Sequence, residues 1–121
     1  MDTPSLSQFT LQPEATLLDA AKAMGANRSR TIVVVEDYKT NKTLGILSEG
    51  DILRALISGM DIHSPVRNIM RVSFKYFQDG QVDMMLARKL FIEHGFGLLP
   101  VVDAEMHLTA VVTVLDCLRS T

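Results

Sequence analysis

The chain has 121 residues, 47% of them apolar and 21% charged, which excludes a disordered tail and fits one ordinary domain or two very small units sharing a core. Twelve basic against 14 acidic residues, a net charge of −2 with no long run of either sign, exclude a basic nucleic-acid footprint. No apolar run reaches the roughly 18–20 residues of a membrane helix, no basic-then-apolar leader follows Met1, and the lone Cys117 can form neither an internal disulfide nor a Cys-rich zinc site, so a cytoplasmic location without membrane insertion is expected.

Along the chain, Thr16-Leu-Leu-Asp19 reads as a capping box. It opens a helix with Leu17, Leu18, Ala20, Ala21 and Met24 at apolar positions, and Gly25 to Ser29 reads as its stop. Thr31 to Glu36 is β-branched and almost wholly apolar, the pattern of a buried strand. Asp37 to Lys42 is polar and hairpin-like, Thr43 to Leu47 is the partner strand, and Ser48 opens a helix to about Ser58. In the joining segment, Val66, Ile69 and Met70 predict one short helical turn. Ser73 to Phe77 alternates and predicts a strand, and Gln78 to Gly80 is a turn. Val82 to Phe91 predicts a helix with Val82, Met85, Leu86, Lys89, Leu90 and Phe91 on a partly apolar face, ended by His94 to Gly97.

The chain says nearly the same thing twice. Leu44-Gly-Ile-Leu-Ser-Glu-Gly-Asp-Ile-Leu-Arg54 is echoed by Thr109-Ala-Val-Val-Thr-Val-Leu-Asp-Cys-Leu-Arg119, so that Ser48 and Thr113, Asp51 and Asp116, and Arg54 and Arg119 each lie 65 apart. Thr31 to Glu36 corresponds to Leu98 to Asp103 at a spacing of 67. A unit of about 60 residues hides only about 60% of its unfolded surface, so two such units gain by packing on each other. The fold class expected is α/β (α+β): one module of two halves, 1–65 and 66–121, each a helix, strand, strand and helix, packed on each other.

The repeated Ser/Thr-x-x-Asp stands where a strand runs into a helix. Ser48 and Thr113 can cap the helix with their hydroxyls, and Asp51 and Asp116 fall in its first turn, where negative charge is favourable. That reading is purely structural. The same atoms can also bind a nucleotide: bare N–H groups suit a phosphate, and a carboxylate one turn in can accept from both hydroxyls of a ribose.

These residues resemble a tandem pair of CBS domains, a Bateman module. The family pattern Gly-h-h-Ser/Thr-x-x-Asp, with h aliphatic, is met by Gly45, Ile46, Leu47, Ser48 and Asp51, and by Val111, Val112, Thr113 and Asp116 with Ala110 in place of the glycine. Leu99 to Asp103 and Val66 to Met70 are also similar to the family, and the resemblance spans roughly residues 8–120. It implies two pseudo-symmetric units, each a small mixed sheet with two helices, packed through their sheets. It implies a regulatory module, not an enzyme, that senses AMP, ADP, ATP or S-adenosylmethionine in two clefts between the repeats and requires no cofactor beyond that regulatory ligand. It implies Asp51 and Asp116 on ribose, Ser48 and Thr113 on phosphate, and the base against Thr31, Ile32 and Val33 in one cleft and Leu98, Leu99 and Pro100 in the other. It further implies a homodimer and a regulated enzyme or transporter as partner. The alternative is a module that binds no ligand, dimerises and docks on such a partner.

Arg28 and Arg30 precede the first strand; they read as a solvated turn or, if a polyphosphate binds, as its counter-charges. Arg54 and Arg119 can pair with their aspartates at i, i+3. His63, His94 and His107 lack metal-ligand spacing, so no metal site is expected. Cys117 reads as a buried thiol, and the seven methionines as core or interface packing.

Overall fold

A computed structural model of the chain describes residues 6–119. Each half contributes a short strand, a helix, a hairpin and a second helix. The first half has β1 (Thr10–Leu11), α1 (Leu17–Asn27), β2 (Thr31–Val35), β3 (Thr43–Ser48) and α2 (Glu49–Ile57). The second has β4 (Phe77–Gln78), α3 (Met84–His94), β5 (Leu98–Val102), β6 (Leu108–Thr113) and α4 (Val114–Arg119). In each three-stranded sheet the short strand runs parallel to the middle strand and the hairpin is antiparallel. The registers repeat: Thr31 pairs with Ser48 as Leu98 pairs with Thr113, and both hairpins carry an irregularity one pair before the end of the middle strand.

β2 is buried at every position, and the alternation of a strand explains why it reads as an unbroken apolar run. Ile32 and Val34 face Leu17, Ala20 and Met24 of α1 and Ile52 and Ala55 of α2. Val33 and Val35 face the other way and meet Leu98, Val102 and Leu108 of the second half, with Phe9 closing the edge. Each such side chain contributes about 1.5–3 kcal/mol when fully buried, so this shared layer is what joins the halves. Two symmetric hydrogen bonds between the hairpins fix their register. The N–H of Thr43 donates to the Met106 carbonyl and the N–H of Leu108 to the Asn41 carbonyl, both at 2.8 Å.

Three local expectations change. The first helix does not stop at Gly25 but runs to Asn27, because Arg28 takes the left-handed cap at φ 61°. The strand expected over Ser73 to Phe77 is paired only from Phe77, since the preceding residues meet no neighbouring strand; Phe74 and Tyr76 pack ring against ring at 5.7 Å instead. The second half's first helix starts at Met84 under an Asp83 cap and buries Ala87 and Phe91, while Val82, Met85 and Leu86 are exposed. Val66, at the start of the second repeat by sequence, packs into the first half's core, and its N–H donates to the Ala15 carbonyl at 2.7 Å.

One buried polar atom has no hydrogen-bond partner among the described residues: the Thr43 hydroxyl, which occupies the place that Leu108 fills in the other half. An unsatisfied buried hydroxyl costs about 1–3 kcal/mol. Thr43→Val therefore raises the unfolding free energy by about 1 kcal/mol in urea denaturation, whereas an unchanged or lower value would mean that the hydroxyl is satisfied.

Candidate functional site

Both strand-to-helix turns form the reciprocal box that the sequence suggests. In the first, the Asp51 N–H donates to the Ser48 hydroxyl at 3.2 Å and the Ser48 N–H to Asp51 Oδ2 at 2.9 Å. In the second, the Asp116 N–H donates to the Thr113 hydroxyl at 3.2 Å and the Thr113 N–H to Asp116 Oδ2 at 2.8 Å. Because Thr31–Ser48 and Leu98–Thr113 are equivalent pairs at the same end of their sheets, face-to-face packing turns both boxes toward each other. They open into a cleft of about 1220 Å³ lined from both halves. Gly97 permits the close meeting of the halves there: a Cβ at this position would run into the Ser29 carbonyl and the Thr31 hydroxyl.

The cleft is lined by Ser48, Asp51, Thr113 and Asp116, by Arg28 and Arg30, and by Thr31, Leu98 and Leu99. Ile32, Val33 and Pro100 are not part of its lining; all three are fully buried, because only the first residues of the doubly covered middle strands reach its edge. Sequence reading missed Arg71, which joins from the linker. Its backbone exchanges hydrogen bonds with Ile46 of β3 at 2.8 and 2.9 Å, bringing its side chain to Asp51. The local signal was Gly45, where an added Cβ would stand 2.8 Å from the Arg71 carbonyl. In the second half Ala110 is exposed, so nothing there demands glycine. Asn27, also unforeseen, shapes the turn carrying the two arginines: its amide donates to the Gln8 and Thr31 carbonyls and its Oδ1 accepts from the Ser29 N–H.

The two aspartates differ electrostatically. Asp51 Oδ1 accepts from Arg54 at 2.7 Å and from Arg71 at 2.9 Å. The expected pairing of Arg54 is thus present, but Arg119 forms no ion pair with Asp116 among the described residues, and Asp116 Oδ1 has no hydrogen-bond partner there. Burial pushes the Asp51 carboxyl up, yet the Ser48 N–H, Arg71, the Ser48 hydroxyl and Arg54 together hold it below the usual carboxylate range. Arg28 at φ 61° and Arg30 at φ 53° both hold left-handed backbone, which costs a non-glycine residue about 1–2 kcal/mol. Cys117, expected as a buried thiol, is buried, and that burial pushes its ionisation up. His94 stacks on Phe96 at 5.2 Å beside the cleft, and His107 lies 3.0 Å from Asp103 in the second hairpin.

A family model for the CBS domain matches residues 2–58 and again residues 66–120. The chain belongs to the CBS-domain family. This CBS pair is 29% identical over 112 residues to an uncharacterised 17.7 kDa protein of Acidianus ambivalens, covering 93% of this chain and 66% of that one. It is 30% identical to the inosine-5'-monophosphate dehydrogenase of Bifidobacterium longum over the same share of this chain but only 20% of the enzyme, so it spans less than two thirds of these relatives. Among solved structures, CBSX2 in complex with AMP superposes with a TM-score of 0.75 at 25% identity, covering 98% of this chain and 90% of that one. No helix among the described residues is long and apolar enough to cross a membrane.

A carboxylate whose folded-state pKa is depressed stabilises the fold above its unfolded pKa, and that contribution is lost as pH falls through the folded value. Asp51→Asn therefore lowers the melting temperature at about pH 7, and the gap to the parent chain closes toward about pH 3. A gap that stays constant with pH in thermal melts would contradict the ion-pair assignment.

Proposed function

We propose that the CBS pair is a non-catalytic regulatory module that binds an adenosine nucleotide in its shared cleft and passes occupancy on as a change in the angle between repeats or subunits. The observation that carries this reading is the meeting of both Ser/Thr-x-x-Asp boxes in one cleft large enough for a nucleotide. The AMP-bound relative supports the adenosine class. In this reading ribose hydroxyls bond to the aspartates, phosphate to Ser48 or Thr113, and the base rests by Leu98 and Leu99 or by Thr31. The module acts in the cytoplasm as a homodimer on an enzyme or transporter. Leu53 and Ile57 of α2 and Leu115 and Leu118 of α4, all exposed, supply apolar surface for such assembly.

The two arms are unequal. A ribose diol at Asp51 must displace two guanidiniums, whereas Asp116 keeps Oδ1 open. Asp116→Ala is expected to weaken AMP, ADP and ATP binding by calorimetry at least about tenfold, equivalent to about 1.4 kcal/mol, and to lower the melting temperature only by the loss of one helix cap. Asp51→Ala is expected to affect binding less and to lower the melting temperature more, because it removes the same cap and in addition strands Arg54 and Arg71. Absence of binding by all three nucleotides at millimolar concentration would defeat the reading and favour a module that only dimerises and docks.

A further inference from the structure

Charge is distributed unevenly in this protein. The whole chain is net negative, with 12 basic and 14 acidic residues. Yet six of its Lys and Arg residues line the one cleft: Arg28, Arg30, Arg54, Arg71, Lys75 and Arg119. Only Glu49, Asp51 and Asp116 stand there as acids. Arg54 and Arg71 are engaged by Asp51, which leaves Arg28, Arg30, Lys75 and Arg119 without an ion pair among the described residues. Six cations against three acids leave the lining with a net charge of about +3 in a chain that is net negative, a field that favours an anion.

The backbone gives a second, independent observation. Arg28 and Arg30 occupy left-handed conformations at φ 61° and 53°. In the second half the same cap is Gly95 at φ 67°, while Gly97, in register with Arg30, takes no positive φ and is glycine for the close approach to Ser29 and Thr31. Glycine would serve the turn better at both positions. The buried Asn27 amide, bonded to Gln8, Thr31 and Ser29, holds this unfavourable turn in place and with it the two guanidiniums at the cleft. Backbone strain that is kept and braced at a cleft points to side chains in use there.

We infer that the cleft is built for a nucleotide with an extended phosphate chain, a di- or triphosphate, and that Arg28 and Arg30 select it over the monophosphate. A monophosphate brings about two negative charges, fewer than the net charge of about +3 on the lining; each further phosphoryl group adds about one more, and guanidinium groups can grip phosphate oxygens in pairs. This inference rests on the nucleotide reading above, which concerns the adenosine end of the ligand, whereas this one concerns the phosphate end.

The test is calorimetric titration of the full chain with AMP, ADP, ATP and inorganic tripolyphosphate without divalent cations, at about 50 mM and again at about 0.5 M salt. Affinity is expected to rise from AMP to ATP by at least about tenfold at low salt, and the gap to narrow at high salt. Arg28→Gly and Arg30→Gly install the second half's residues and relieve the backbone, so neither lowers the melting temperature. Each is expected to weaken ATP several-fold more than AMP. AMP and ATP within twofold of each other, or glycine variants that weaken both alike, would overturn the inference while leaving the nucleotide reading intact. Tripolyphosphate binding as tightly as ATP would overturn the adenosine reading and leave the phosphate site standing. Silence from all four compounds would overturn both.

Discussion

Val33 and Val35 of β2 press against Leu98, Val102 and Leu108 across the middle of the molecule, and everything functional follows from that contact. Each sheet has helices on its outer face only, so its inner face must find apolar cover. The partner repeat supplies it. Because the two hairpins share one register, the same packing brings the ends of β3 and β6, and the helices that follow them, to opposite walls of one cleft. The hydrogen bonds between Asn41, Thr43, Met106 and Leu108 prevent the sheets from sliding, which would separate the walls.

Capping and ligand binding draw on the same aspartates without competing. In each box Oδ2 holds the cap, accepting the N–H of Ser48 or Thr113, and Oδ1 is left over. What becomes of Oδ1 distinguishes the halves. Gly45 lets the linker run close along β3, the linker carries Arg71, and Arg71 joins Arg54 on Asp51. β6 has no such neighbour at Ala110, and Asp116 keeps its second oxygen open. A small difference in the repeats, glycine against alanine, thus tracks a difference in the electrostatic state of two otherwise matched sites.

Much of this was legible in the residues. Local patterns gave the capping boxes at Thr16 and Ser48, the doubly buried β2 and the turn at Val66, because each depends on near neighbours in sequence. The duplication gave the pseudo-symmetric architecture. What escaped depends on contacts far apart in the chain. Ile32, Val33 and Pro100 look like a strand edge but are sealed between layers, a fact only the packing of both faces decides. Ser73 to Tyr76 alternates like a strand, yet a strand needs a partner, and pairing begins only at Phe77. A partly apolar face with Met85, Leu86, Leu90 and Phe91 was expected on α3, but Ala87 and Phe91 are its buried residues and Met85 and Leu86 are exposed. Arg71 in an extended linker has no periodic signal; only the crowding at Gly45 betrays it.

In the proposed function the ligand enters the cleft walled by both repeats. Backbone amide shifts recorded by nuclear magnetic resonance during titration with ATP test it most directly. Gly50 and Asp51, Leu115 and Asp116, and Arg28 to Arg30 are expected to move along a single saturating curve, while Met85 and Ile92 on the outer face of α3 stay still. Shifts gathered on that outer helix surface, with both boxes unmoved, would contradict it.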